Sequence, residues 1–241
     1  MVPNLIVSVS ALPKAGKNHF AYTFPDPIKV YCFNGGADYV KSAFPKKQID
    51  VHNFRLPIVD STVTEWALPV WIQFYREYKS DMAESKYQTY VLDTGTEVEN
   101  MCQQAVLEDF QQDKPNKKKL ATTEFLSRNL QMKAIFDLAK DTGVNLVILN
   151  YLKEKWVWVE EKGEKKAVNT GELILDGWWK TENQANINIE LATKMKEVKG
   201  KKQQVTIATI KSLVFGRSQA GAEYEDLTYN ELVALLFLEG E

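Results

Sequence analysis

The stretch Ala11-Leu12-Pro13-Lys14-Ala15-Gly16-Lys17-Asn18-His19-Phe20, ALPKAGKNHF, follows directly on the apolar run Asn4–Ser10, NLIVSVS. It departs from the phosphate-binding pattern G-x-x-x-x-G-K-[ST] at Ala11, where the pattern has glycine, and at Asn18, where it has a hydroxyl. Loops of this kind hold phosphates because successive backbone N–H groups turn toward the anion and the start of a helix adds a positive partial charge. The lysine then supplies a point charge. The context here matches, with an apolar strand, a loop of the right length, Gly16-Lys17, and NHFAYTF, which can open a helix. A surface turn with an incidental lysine is the plainer reading of the same letters, and a Gly-Lys pair alone does not separate the two.

Outward from the loop, strand-like runs recur at Leu5–Val9, Ile28–Phe33, Thr89–Leu92, Leu146–Leu149 and Ile187–Leu191, with Val205–Ile210 a further candidate. Helical patterns lie between them. Over Thr62–Lys79 the residues Trp66, Val70, Trp71, Phe74 and Tyr78 repeat at helical spacing behind the capping box Thr62–Glu65. A second box, Thr94–Glu97, opens the stripe Val98, Met101, Cys102, Ala105 and Val106. Met132, Ile135, Phe136 and Ala139 mark a third helix that ends near Gly143, and the box Thr228–Glu231 starts a last one. Strands alternating with helices predict an α/β domain with a mainly parallel, twisted sheet flanked by helices on both faces. Within it, Asp93 closes the run Thr89–Leu92 with a carboxylate at a strand end, in the manner of a Walker B aspartate.

The 241 residues are 44% apolar and 26% charged, enough to bury one sizeable core, and the formal net charge of −2 announces no global basic field. Cys32 and Cys102 fall in apolar runs and read as buried small hydrophobes, which suits a reducing compartment. His19 and His52 are too isolated for a metal site. The first residues lack a basic segment followed by a long apolar core, and no uninterrupted apolar stretch is long enough to span a membrane. The expectation is a cytoplasmic protein that does not span the membrane.

The run ALPKAGKNHFAYTFPDPIKVYCFNGG, residues 11–36, resembles the opening of the RecA-like P-loop ATP-binding proteins of bacteriophages. Their pattern is a strand, a G-x-P-K-x-G-K-T loop, a helix ending at P-x-P, and a second strand ending in an acidic residue and glycine. TYVLDTGTEVENMCQQAV, residues 89–106, is similar to the same family's Walker B strand, loop and helix. NLVILNYLKEKWV and GELILDGWWKTENQANINIELA resemble its fourth strand, projecting loop and next strand. The similarity covers about residues 4–192, so the chain is expected to be a single RecA-like domain, 1–241, with a C-terminal extension over about 193–241. Members of this kind include single-strand annealing proteins, which implies DNA recombination or replication, and the host cytoplasm if a phage encodes the chain.

Residue by residue, the resemblance implies a nucleotide site at Pro13, Lys14, Ala15, Gly16, Lys17, Asn18 and His19, with ATP or another NTP and Mg²⁺ as cofactors. Lys17 would contact the β- and γ-phosphates, the backbone of Lys14 to Asn18 would supply N–H groups, and Asp93 would hold Mg²⁺ through water. Three positions depart. Ala11 replaces a glycine, Asn18 offers an amide oxygen where a hydroxyl binds Mg²⁺, and Asn34 stands where the family's carboxylate activates water. Loss of such a carboxylate costs about 10²–10⁴-fold in rate while leaving phosphate binding possible. The expectation is binding with slow or lost hydrolysis, unless Glu97 or Asp38 takes over the catalytic role.

The same resemblance assigns single-stranded DNA to the loops after the third and fourth core strands. Those places hold Lys117, Lys118 and Lys119, and the segment Tyr151–Lys180 with Lys153, Lys155, Trp156, Trp158, Trp178, Trp179 and Lys180. Basic residues among aromatics suit single strands, because bases stack on rings while lysines follow phosphates. Alternating tryptophans that pack a hairpin onto the core, and lysines in a solvated loop, are the plainer readings. Arg217 is a candidate arginine finger toward a neighbouring subunit's phosphate, a role that would require a homo-oligomer. Partners implied are single-stranded DNA, a single-strand binding protein or other replication and recombination proteins. A pseudo-ATPase serving as an oligomerisation or partner-binding module is the alternative, and a small-molecule kinase fits less well because no Arg-rich lid is visible.

Overall fold

The structure is a computed structural model and describes residues 4–55, 66–161, 164–198, 201–214 and 219–237. The capping box Thr62–Glu65, the hairpin turn at 162–163 and Arg217 lie outside the described residues.

Five parallel strands carry the centre of the sheet: β1 (Ile6–Ala11), β2 (Ile28–Cys32), β3 (Ile49–Asn53), β4 (Thr89–Asp93) and the first part of β5 (Asn145–Glu161). β6 (Glu164–Asp176) pairs antiparallel with β5, while β7 (Ile187–Val198) runs parallel to β1 and is followed by antiparallel β8 (Lys201–Leu213) and β9 (Glu223–Glu225). The order across the sheet is β3-β2-β4-β5-β1-β7-β8-β9, with β6 attached to β5 alone. This is the α/β, mainly parallel arrangement of a RecA-like P-loop NTPase. β8 and β9 continue the same sheet.

The central strands β1, β2, β4 and the first part of β5 are buried throughout because both faces are covered. On one face, Tyr31, Tyr90, Leu92, Leu146 and Ile148 meet α3 (Ala67–Glu84), α4 (Gly95–Asp113) and α5 (Phe125–Thr142). On the other, Val7, Val9, Ile28, Val30, Val91, Val147 and Leu149 meet α1 (Lys17–Ala21), α2 (Ala37–Lys41) and α7 (Tyr229–Phe237). Short α6 (Thr181–Gln184) precedes β7. Neighbours along one strand therefore alternate between two cores, as a pleated strand requires.

The helical stripes fall where their spacing places them. Trp71, Phe74, Tyr78 and Met82 are the buried side of α3, and Trp66 and Val70 pack at its margin. The N–H groups of Trp66, Ala67 and Leu68 are accepted by the buried Glu108 carboxylate of α4, at 2.7–3.2 Å. That cap joins two helices 40 residues apart in sequence, and no local pattern announces it. Thr94 caps α4 by accepting from the Glu97 N–H at 3.2 Å. Gly143 closes α5 at φ 65°, and Thr228 with Glu231 forms the reciprocal box before α7.

Two antiparallel ribbons leave the carboxyl edge of the sheet from the strands on either side of β1. One is β5 from Leu152 onward with β6, and the other is the outer part of β7 with β8. The loop after β1 emerges between them.

Candidate functional site

In an open parallel sheet, ligands sit beyond the carboxyl ends of the strands. Here Cys32 and Asp93 end level with Leu149, and Ala11 and Tyr151 reach two residues further, as the pairs Cys32↔Asp93, Asp93↔Leu149 and Ala11↔Tyr151 show. Beyond these ends lies a cleft of about 450 Å³ lined by the loop residues Pro13 to His19 together with Asn34, Gly36, Val40, Asp93 and Tyr151.

The loop has the shape its letters suggest. Gly16 lies at φ 88°, and a Cβ there would stand 3.0 Å from Thr206 Oγ1, so the position needs glycine for both conformation and space. Lys14 holds φ 66° with a side chain, a conformation that costs roughly 1–2 kcal/mol. Ala11 is the last residue of β1, fully buried and paired on both sides in extended backbone, so the first departure from the motif places no demand for glycine there.

Lys17 is folded along the loop, its Nζ donating to the carbonyls of Ala11 and Leu12 at 3.2 and 3.4 Å and lying 4.5 Å over the Tyr151 ring. Burial pushes its ammonium down to about 8, partly opposed by the Asp93 charge. Asp93 is 2% exposed and its carboxyl is raised by burial, against the hydrogen bonds it accepts and the Lys17 charge. Those bonds come from Asn18 Nδ2 at 2.9 Å and Asn34 Nδ2 at 3.1 Å, one to each carboxylate oxygen. Two amide donors thus offset the cost of burying a carboxylate, which is severe when unpaired. Cys32 Sγ, 3.8 Å away, completes the floor.

Asn18 and Asn34 are therefore built into the aspartate's environment. Asn18 uses its amide nitrogen to hold Asp93, which leaves its amide oxygen as the group able to meet a hard cation. Asn34 bridges further: its Nδ2 also donates to the Tyr151 hydroxyl at 3.3 Å, and its Oδ1 accepts from the Gly36 N–H at 2.9 Å. The donor set fits a polyphosphate with Mg²⁺: a lysine, a loop turned by two left-handed residues, one buried carboxylate, and an amide oxygen. It offers no carboxylate at Asn34.

The other catalytic candidates lie elsewhere. Glu97 is in the first turn of α4 with its carboxyl raised by burial and by the neighbouring Asp176, and it does not line the cleft. Asp38 accepts from Asn53 Nδ2 at 2.6 Å and does not line it either. Among the described residues no cluster of His, Cys, Asp and Glu could form an all-protein metal site. No described helix is long and apolar enough to cross a membrane.

The residues expected to touch DNA separate into two groups. Lys117, Lys118 and Lys119 follow α4, where Gln111 Nε2 holds the Lys117 carbonyl at 2.6 Å and Glu124 pairs with its ammonium at 2.7 Å. At 1.5 Å per residue this is about 24 Å along the helix from its start beside Asp93. Lys153, Lys155 and Trp156 lie on the β5–β6 ribbon, the lysines paired with Asp176 and Glu172 at 2.8 and 2.7 Å. Trp156 and Trp158 share one face of that ribbon, opposite the small residues Asn169 and Ala167, and are 59% and 75% exposed. They do not pack the hairpin onto the core. Trp178, grouped with them by sequence, is a correction: it is buried against Phe136, with Nε1 donating to Asn129 Oδ1 at 2.9 Å. Trp179 is exposed beneath Lys180.

Tyr151 is the site residue that sequence reasoning missed. The signal was its place at the end of the apolar run NLVILN, level with Ala11 at the strands' carboxyl edge.

A family profile described as an AAA domain matches residues 4–212. No curated protein sequence matches the chain. Among solved structures, the crystal structure of a KaiC-like protein from the hyperthermophilic archaeon Pyrococcus horikoshii OT3 is similar over 92% of this chain and 85% of that one, at 13% identity and a TM-score of 0.48.

Proposed function

From the premise that this chain belongs to the AAA domain family, we propose that it binds ATP with Mg²⁺ at the loop Pro13–His19, turns it over slowly or not at all, and uses the bound state to act on single-stranded DNA. The observation that carries the first half is the Asp93 environment. Asn18 and Asn34 occupy both carboxylate oxygens with amide donors, which favours holding a cation and phosphates and leaves Asn34 without a base for water. Bound Mg²⁺ would supply charge neutralisation at the phosphates. Lys17 would leave the Ala11 and Leu12 carbonyls for the anion, a net gain because a charged partner replaces two neutral ones.

The second half rests on the ribbon. Trp156 and Trp158 present two rings on one open face, and Lys153 and Lys155 lie beside them in exposed ion pairs worth about 0–1 kcal/mol each, which phosphates can displace. The ribbon is rooted at Tyr151, whose ring and hydroxyl meet Lys17 and Asn34, so a ligand at the loop and a strand on the ribbon share one residue. A role in recombination or replication, by binding or annealing single strands in the cytoplasm, follows from the resemblance of the motifs.

A second reading is favoured by the opposite ribbon face, where Val157, Val159 and Val168 are also partly exposed: an oligomerisation or partner-binding module without DNA. Titration of a labelled oligonucleotide, with and without ATP and Mg²⁺, decides between them. Binding that tightens with ATP supports the DNA role, and no binding in either condition favours the module.

A further inference from the structure

Asn34 is the one asparagine in the chain followed by glycine, in the stretch Phe33-Asn34-Gly35-Gly36 between β2 and α2. That pair has a chemistry of its own. The backbone nitrogen after an asparagine can attack the side-chain carbonyl carbon and close a five-membered succinimide, and glycine hinders the attack least because it carries no side chain. We propose that Asn34 is a self-modification site, whose amide is lost to the Gly35 nitrogen and water, and that the aspartate so formed supplies the carboxylate the phosphate cleft lacks. The effect on turnover rests on the reading that the loop holds ATP. The modification itself does not.

The loop around Asn34 favours the attack. Asn34 and Gly35 are both exposed, and nothing stands within 4 Å of the place a Gly35 Cβ would take, so the ring has room to form and water can reach it. The Asn34 side chain is folded back over the peptide that follows, because its Oδ1 accepts the Gly36 N–H at 2.9 Å, and this turns its Cγ toward the Gly35 nitrogen. The same oxygen accepts from the Cys32 thiol at 3.4 Å. Negative charge gathers on that oxygen as the nitrogen adds, and two donors already aimed at it act as an oxyanion hole does. Asn18, the other amide on Asp93, is followed by His19 within α1 and offers no such pair.

The step balances with water as its only co-reactant. The Gly35 nitrogen forms a bond to Asn34 Cγ and gives up its proton. The Cγ–Nδ2 bond breaks, and the amide nitrogen leaves with a proton as ammonia, released from the Asp93 carboxylate and Tyr151 hydroxyl that hold it at 3.1 and 3.3 Å. One water then opens the ring. Opening at Cγ leaves an aspartate, and opening at the main-chain carbonyl leaves an isoaspartate with the backbone running through the side chain. The place of the residue gives the exchange its consequence, since position 34 is where the resemblance puts the water-activating carboxylate. A carboxylate there also takes one amide donor from Asp93 and faces it with a like charge, an arrangement that favours a cation between the two. The newly made chain holds its ligand, and the aged chain hydrolyses it.

The test follows peptide masses and ATP turnover together while the full chain ages in mildly alkaline buffer, folded and in urea, beside Asn34→Asp and Asn34→Gln. Glutamine would have to close a six-membered ring, which is far slower. The mass gain of an amide becoming an acid is expected at Asn34 before any other asparagine of the folded chain. Turnover should rise in step with the aspartate fraction toward that of Asn34→Asp, on the order of 10²-fold above fresh protein, and Asn34→Gln should show no rise with age. An Asn34 that keeps its amide in the folded chain while losing it in urea is protected by the loop, and that result overturns the proposal. Conversion without a rise in turnover, in protein that binds ATP by calorimetry, overturns its catalytic half. If neither fresh nor aged protein binds ATP, the nucleotide reading fails and the catalytic half with it, while the masses still decide the modification.

Discussion

β5 changes character partway along its length. From Asn145 to Asn150 every residue is buried, and from Trp156 to Glu161 every residue is exposed. The inner half is held between β4 and β1 and gives its end, Tyr151, to the phosphate cleft; the outer half pairs, among the described residues, with β6 alone. Charges follow the same division. In the cleft, Asp93 and Lys17 are buried and satisfied by groups brought from three separate stretches of chain, whereas on the ribbon Lys153 and Lys155 pair with acids of the neighbouring strand β6. A buried, long-range network fixes one geometry and resists substitution; an exposed, local one can be rearranged at little cost. The first suits recognition of a compact anion. The second suits a surface that changes partners.

The contrast can be broken most strongly at Asn34. It is exposed at the cleft mouth, so Asn34→Glu adds a carboxylate without burying it, while taking from Asp93 one of its two amide donors. Steady-state ATP turnover should then rise on the order of 10²-fold if that position commands the attacking water. An unchanged rate would place the catalytic defect elsewhere.

Titration of Lys17 gives the next largest effect. Its ammonium sits at about 8 when folded, below the ordinary 10.5, so between those values the unfolded chain holds more protons and this group's contribution to stability rises with pH. Nucleotide binding needs the charged form, so affinity should instead fall above pH 8, by up to tenfold per unit. Calorimetry and thermal melts over pH 7–10 should therefore slope in opposite directions, and parallel slopes would remove Lys17 from the ligand.

The ribbon should respond in the reverse manner. Trp156→Ala with Trp158→Ala should leave the melting temperature nearly unchanged, because exposed side chains contribute within about 0.5 kcal/mol. Oligonucleotide affinity should drop by about 1–3 kcal/mol per stacked base. A large loss of stability would mean the rings are packed in solution, against the exposure of both.

The sequence was most informative where spacing is local. The alternation of strands and helices, the stripe of α4, the cap at Thr94 and the Gly143 terminus all rest on contacts within a few residues. β3 escaped because IDVHN alternates apolar and polar residues on a short edge strand and so has no apolar run. The loop was legible from Gly16-Lys17, and Asp93 from its place at a strand end. What was not legible depends on pairing across the sheet: Tyr151 reaching Lys17, Glu108 capping α3, and Thr206 closing on Gly16 join residues 40 to 190 positions apart. Trp178 and Trp156 look alike as letters, and only the point where the ribbon leaves the core separates a buried ring from an open one.

Calorimetric titration of the chain with ATP and Mg²⁺, repeated on Lys17→Ala, tests the central claim most directly. The account predicts saturable binding by wild type and a loss of roughly 10–150-fold in the variant, the scale of one charge-assisted contact. Binding that is absent in wild type, or equal in the two proteins, would contradict it.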